Sequence, residues 1–168
     1  TDAIDRMILT GEYVSQRTGD AEMHTMPTST VFYLKFNQQR ENTPLLNANI
    51  RKALAMAFDK QAYADVVLQN GSIPANGLVP EKLALDPSTG EDYREQNGDL
   101  LTFNAEEAKT YFEQGLAELG VESITLELLS DDTENAKRSS EFLQSQLETN
   151  LPGLTVTLRN VPFKVRLE

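Results

Sequence analysis

The chain has 168 residues, a formal net charge of −11 and 39% hydrophobic residues, with one histidine and no cysteine. That length holds one core of ordinary size, and the apolar content is that of a globular chain rather than a disordered one. The acidity argues against nucleic acid, which demands Lys/Arg clusters, and against an anionic membrane surface, leaving solubility as the plain reading of the charge.

Absent cysteine excludes a disulfide scaffold and thiol catalysis, and no run approaches the ~20 apolar residues of a membrane span. Thr1-Asp2-Ala3-Ile4-Asp5-Arg6 has mixed charge and no long apolar core, so it is not read as a signal peptide. Leu167-Glu168 reads as either native sequence or a cloning remnant.

In chain order, residues 2–16 mix Ile4, Met7, Ile8 and Leu9 with Thr10-Gly11 and read as a short helix followed by a turn. Residues 17–28 are polar, contain Gly19 and Pro27, and read as loop. Residues 30–37 are β-branched and aromatic and predict a strand. A polar connection with Pro44 follows over 38–47.

Residues 49–80 then predict two consecutive helices and a loop punctuated by Pro and Gly. Ile50, Ala53, Leu54, Ala57 and Phe58 fall at i, i+3, i+4, i+7 and i+8, one apolar face. Asp59 stands where an N-cap belongs, Tyr63, Val66 and Val67 rebuild an apolar face, and Gly71 is placed to end the second helix.

Residues 71–102 form an irregular excursion, long for a compact domain, and its part 86–99 is polar enough to read as a solvated surface segment. Asn104 and Glu107 make a capping-box pattern at the start of the next helix, whose stripe is Ala108, Tyr111, Phe112, Gly115, Leu116 and Leu119 and whose stop is Gly120. Residues 123–129 alternate and predict a strand. Asp131 or Asp132 caps a helix running to about Thr149, and Leu154, Val156 and Leu158 mark a second strand. This is a β–α–β unit, so its strands are expected to be parallel.

The fold class read from this pattern is α/β (α+β): one domain over 1–168, a small mixed sheet flanked by at least four helices, with no repeat at periods of 20–50 residues.

Candidate chemistry is sparse. His24 sits in a loop beside two methionines, and one His without Cys makes no usual zinc or copper site. The Asp131-Asp132-Thr133-Glu134 run lacks the ligand spacing of a calcium loop and reads instead as a carboxylate-rich helix start. No Ser-His-Asp set, P-loop, G-x-G-x-x-G or G-x-S-x-G occurs, so the reading is not an enzyme, with no cofactor and no metal.

Arg51-Lys52 lies at a helix start, either as surface charge or as a salt bridge anchoring the helix. Phe32 and Tyr33 are adjacent on the predicted strand and so face opposite sides, one toward the core and the other free to line a cleft.

Several segments together resemble the extracytoplasmic solute-binding proteins of peptide ABC transporters. The Arg51-Lys52-Ala53-Leu54 helix leads into Asp59, a second helix, Gly71, Pro74-Ala75 and Val79-Pro80; Val31-Phe32-Tyr33-Leu34-Lys35-Phe36-Asn37 is similar to the family's aromatic strand. Phe103–Lys109, Gly115–Gly120 and the Leu151-Pro152-Gly153-Leu154 run follow in matching order.

The resemblance implies one lobe of a periplasmic-binding-protein-like type II fold, an internal piece of a longer two-lobed protein. It implies a monomer that captures an oligopeptide between its lobes and delivers it to ABC permease membrane subunits. It also implies an extracytoplasmic place, as a cell-surface lipoprotein on the outer face of the plasma membrane or in the periplasm.

Tyr33, Phe32 and Asn37 are its candidate ligand contacts, and an acidic anchor for the peptide amino terminus is expected just beyond Glu168. Other solutes of the same family (a dipeptide, a nickel complex, a sugar, a peptide pheromone) or a non-catalytic acidic interaction domain are the alternatives.

Overall fold

Two helices meeting at a glycine build the centre of the molecule. The computed structural model describes residues 7–9, 12–26 and 28–166. Helix α1 (Glu12–Arg17) precedes the loop to residue 47, α2 spans Ala48–Met56, and α5 spans Ala105–Leu119, with α3 (Lys60–Ala62) and α4 (Tyr93–Asn97) between them.

Ile50, Ala53, Leu54 and Met56 are buried on α2, with Ala57 just past its end, and Ala108, Phe112, Gly115 and Leu116 on α5. A Cβ on Gly115 would lie 2.7 Å from Ile50 Cδ1 and 3.1 Å from the Ile50 nitrogen, so the missing side chain sets how closely the two helices approach. Phe58 is partly buried against the same core.

Side chains tie the helix ends together. Asn47 caps α2, its Oδ1 accepting from the Asn49 and Ile50 N–H groups, and its amide joins that of Asn49 on Glu118 at 2.7 and 3.0 Å. At the other end Met56 O accepts from Asn104 N–H at 3.0 Å and Ala57 O from Asn150 Nδ2 at 2.8 Å. The last carbonyls of α2, otherwise orphaned, are thus paired. Asn104 caps α5 through Glu107 N–H, while Glu107 returns to the Asn104 side-chain amide rather than to its backbone.

The β–α–β unit is β1 (Ile124–Asp131), α6 (Glu134–Asn150) and β2 (Leu154–Val161), followed by α7 (Phe163–Arg166). The strands are parallel and pair without offset, Ile124 with Leu154 through Asp131 with Val161. Ile124, Leu126 and Leu128 face the core with Leu154, Val156 and Leu158, as their alternation predicts. On the outer side of β2, α6 satisfies Val156 twice: Gln144 donates to its carbonyl at 2.6 Å and Glu148 accepts from its N–H at 2.7 Å. An otherwise open strand edge is blunted there.

Several expectations are corrected. Residues 30–37 take no regular secondary structure and form no ladder among the described residues, so the sheet has two parallel strands and is not mixed. A strand needs a partner, and alternation cannot supply one. Phe32 and Tyr33 are 87% and 69% exposed; neither is core, and Phe36 is the residue of this segment packed on it. Residues 7–9 are irregular and the first helix follows them; the remainder of that predicted helix and turn (2–6, 10 and 11) lies outside the described residues, as do Pro27 and Leu167-Glu168.

Asp59 caps α3 as expected, but the chain passes into a π-helical turn over Tyr63–Leu68 and ends at Gln69 in the left-handed region, two residues before Gly71. Thr133, not Asp131 or Asp132, caps α6. Among the described residues Arg51 meets no carboxylate: its guanidinium donates to Leu45 and Leu46 carbonyls at 2.8 and 2.9 Å, and Lys52 lies over the Tyr111 ring.

Candidate functional site

In open α/β sheets the carboxyl ends of parallel strands are where ligands bind, because the chain must leave the sheet there and loops open a crevice. Here that end collects polar groups from three elements. Ser130 of β1 and Ser140 of α6 share a hydrogen bond of 2.8 Å, and Asn160 of β2 donates to Ser130 Oγ at 2.6 Å and to Asp131 O at 3.1 Å. Ser140 is buried and its hydroxyl also reaches Ala136 O, so the set is rigid.

Beside it Asp131 Oδ1 is buried without a hydrogen-bond partner and lies 3.2 Å from Arg166 Nε, an ion pair in which both side chains keep some solvent exposure. Arg166 in turn stacks on the Phe163 ring, 5.2 Å to the centroid, and Phe163 is 55% exposed. The amino end of α6 opens toward the same edge, with Thr133 using one of its N–H groups. The arrangement offers a paired carboxylate and guanidinium, an amide and an open aromatic face. It is a set for binding polar and apolar parts of one ligand together.

A groove of about 370 Å³ lies between the π-helical turn and α6, lined by Val66, Val67, Gln69, Asn135, Arg138, Glu141 and Phe142. Its wall is fixed by Tyr63, whose hydroxyl donates to Ser139 Oγ at 2.9 Å and whose ring tilts against Phe142.

A second cavity of about 320 Å³ separates the start of α3 from the 71–102 excursion. Lys60 crosses it to Leu101 O at 3.0 Å, and partial burial pulls its ammonium below the usual lysine range, with Asp99 opposing. Arg94, only 12% exposed, pairs with Asp99 at 2.9 Å and occupies the place where a Gly77 side chain would stand. Asn76 reaches the other Asp99 oxygen at 3.1 Å. These bonds tie the excursion to itself and to the start of α3.

The sequence-derived residues sit apart from these features. Phe32, Tyr33 and Asn37 line neither cavity. Asn37 Oδ1 accepts from Gln39 N–H at 3.0 Å, a turn that closes this segment, and its amide nitrogen makes no hydrogen bond among the described residues. Among the described residues no three His, Cys, Asp or Glu side chains gather as a metal site, and no helix is long and apolar enough to cross a membrane. The carboxyl-end set of Ser130, Asp131, Asn160, Phe163 and Arg166 was missed by motif reading. The signal was present, since a predicted β–α–β unit identifies the last residues of both strands as the place to look.

Comparison with known proteins adds the following. Residues 2–168 match the family described as bacterial extracellular solute-binding proteins, family 5 Middle. The structure of Listeria monocytogenes OppA bound to peptide superposes with a TM-score of 0.90 at 52% identity, covering 98% of this chain and 33% of that one. The structure of the pheromone receptor PrgZ, solved for its mode of peptide binding, gives a TM-score of 0.85 at 36% identity over 95% of this chain and 31% of the other. The dipeptide-binding protein DppE of Bacillus subtilis is 30% identical over 166 residues, 98% of this chain and 30% of its own length. The chain therefore spans about a third of the length of these relatives.

Proposed function

The chain belongs to the bacterial extracellular solute-binding proteins, family 5, and on that premise we propose that it is one internal lobe of a two-lobed oligopeptide receptor serving an ABC transporter. The observation that carries this reading is the 52% identity and 0.90 TM-score to a Listeria OppA that holds a peptide. The receptor acts by hinge closure. Two lobes enclose an extended peptide and present it to membrane permease subunits, and no bond is made or broken. The protein is a monomer and not an enzyme. Its place is outside the cytoplasmic membrane, where a lipid anchor or a periplasm keeps it near the permease.

Peptide contact falls to two groups of residues. Phe32 and Tyr33 lie open to solvent on an irregular segment, with Asn37 closing it in a turn. Phe163, Arg166 and Asp131 lie at the carboxyl ends of the strands. Main-chain hydrogen bonds to the peptide, with roomy pockets for its side chains, give recognition that tolerates many sequences.

A single lobe supplies part of these contacts while the association entropy is lost in full, so the chain alone binds weakly. Calorimetry of the full-length receptor and of this chain with the same oligopeptide tests the reading: binding is expected from the first and little from the second. Micromolar or tighter binding by the chain alone overturns the shared cleft. Normal binding by the full-length protein after both Tyr33→Ala and Phe32→Ala removes the aromatic segment from the site.

A further inference from the structure

Three Asn-Gly pairs lie within or beside the excursion: Asn70-Gly71, Asn76-Gly77 and Asn97-Gly98. Asn-Gly is the dipeptide in which the following backbone nitrogen most easily reaches the asparagine side chain, because glycine has no Cβ to obstruct it. The three are chemically alike in an unfolded chain. The fold makes them different, and we propose that Asn70 is a site of spontaneous deamidation while Asn76 and Asn97 are protected.

In the reaction the Gly71 nitrogen gives its proton to solvent base and attacks Asn70 Cγ. A C–N bond forms, Nδ2 takes up a proton from solvent, the Cγ–Nδ2 bond breaks and ammonia leaves, giving a succinimide. Water then opens the ring at either carbonyl, to aspartate or to isoaspartate. No oxidant or reductant is needed.

At Asn97 both reacting groups are held. Gly98 N–H donates to Arg94 O at 3.0 Å, and Asn97 Nδ2 donates to Tyr93 O at 2.8 Å. At Asn76 the side-chain amide donates to Asp99, the backbone carbonyl accepts from Leu100 N–H, and the Arg94 guanidinium lies where a Gly77 Cβ would stand.

Asn70 and Gly71 are exposed, and neither Gly71 N–H nor Asn70 Nδ2 has a hydrogen-bond partner among the described residues. The one bond that Asn70 makes assists the chemistry: Ser72 N–H donates to Asn70 Oδ1 at 3.0 Å. That oxygen carries the developing negative charge in the tetrahedral intermediate, so the Ser72 amide is placed as an oxyanion donor.

The product puts a carboxylate just past Gln69, at the negative end of the Tyr63–Leu68 turn, where an anion is unfavourable. The isoaspartate form also lengthens the backbone by one methylene before Gly71.

The experiment incubates the purified full-length protein at mildly alkaline pH and follows the three sites by peptide mapping and mass spectrometry. Asn70 is expected to convert about tenfold faster or more than Asn97, a barrier difference of roughly 1.4 kcal/mol. Asn76 should lie with Asn97. The same incubation in denaturant should bring the three rates together.

A ranking that persists in denaturant shows that local sequence and not the fold sets it, and overturns the proposal. So does equal or slower conversion of Asn70 in the native protein. Ser72→Pro, which removes the donor N–H, should slow Asn70 in the native state; an unchanged rate refutes the oxyanion role.

Discussion

The β–α–β unit with its α2–α5 pair and the excursion over 71–102 are held together by opposite means. In the first, Phe112, Ile50 and Leu151 are fully buried, and apolar contact supplies the stability. In the second, Ile73, Leu78, Leu83, Leu85 and Leu100 are all more than half exposed, and carboxylates organise the chain. Asp86 accepts from the Ser88 hydroxyl and from Ser88 and Thr89 N–H; Asp92 accepts from Lys82 and Arg94 N–H. One region is built by excluding water, the other by side chains standing in for the backbone partners a helix or sheet would provide. The two should therefore fail under different stresses.

Cutting into the core has the largest expected effect. Phe112→Ala should cost about 3–5 kcal/mol and Leu54→Ala about 2–5 kcal/mol, each leaving a cavity among neighbours that cannot collapse into it. Urea unfolding followed by far-UV circular dichroism checks both. An unchanged midpoint for Leu54→Ala would show that its face of α2 is not core.

Adding one atom group at the helix crossing comes next. Gly115→Ala places a methyl 2.7 Å from Ile50 Cδ1, and because the Ile50 nitrogen is also near, rotating the Ile50 side chain does not relieve the whole clash. Overpacking of this kind costs about 1–3 kcal/mol. Pairing it with Ile50→Val should return part of the loss, since the nearest contact is the terminal methyl. If the double variant is no more stable than Gly115→Ala alone, backbone crowding and not the isoleucine side chain limits the approach.

Legibility in the sequence divides along the same line as the two regions. The stripe on α5, its Asn104 cap and Gly120 stop, and the alternation in both strands all follow from spacing within a few residues. Each appears in the structure where spacing puts it, except that Leu119, at the end of the stripe, is exposed and Tyr111 is only partly buried. Residues 30–37 have the right composition for a strand, yet pairing is non-local and no described segment pairs with them. The excursion reads as solvated loop because its order comes from Asp86, Asp92 and Asp99 reaching backbone and side chains up to 23 residues away, which no periodicity encodes. The carboxyl-end set joins Ser130 to Asn160 across 30 residues and was invisible to motifs. The family resemblance, carried by the order of short segments, was legible where contacts were not.

A smaller effect tests the join between the regions. Asn104 both caps α5 and closes α2 through its N–H to Met56 O, but only the cap uses its side chain. Asn104→Ala should cost about 0.5–2 kcal/mol. Asn104→Ser, a capping residue of similar worth, should recover most of it. A loss equal in both variants would mean that the contact of its amide with Glu107, and not the cap, is what matters.

The smallest effect on overall stability, and the sharpest separation of the two regions, comes from acid. The Ser88 hydroxyl and the backbone N–H groups of Ser88 and Thr89 hold the Asp86 carboxyl below its ordinary range; the Lys82 and Arg94 N–H groups do the same for Asp92. A folded-state value below the unfolded one means that the unfolded state binds more protons between the two. The stabilisation is then complete above the unfolded value and is lost as pH falls through the lower, folded one. Amide exchange protection of Lys82, Ser88, Thr89 and Arg94 should therefore hold from neutrality to about pH 4 and fall below it. Phe112 and Leu116, whose burial involves no carboxylate, should keep theirs through the same window. Asp92→Asn retains an acceptor oxygen but not the charge, so it should lower protection of Lys82 and Arg94 at neutral pH and flatten their dependence on acid. If the α5 amides open at the same pH as the excursion, the two regions are one cooperative unit, and carboxylates in the excursion govern the stability of the core as well.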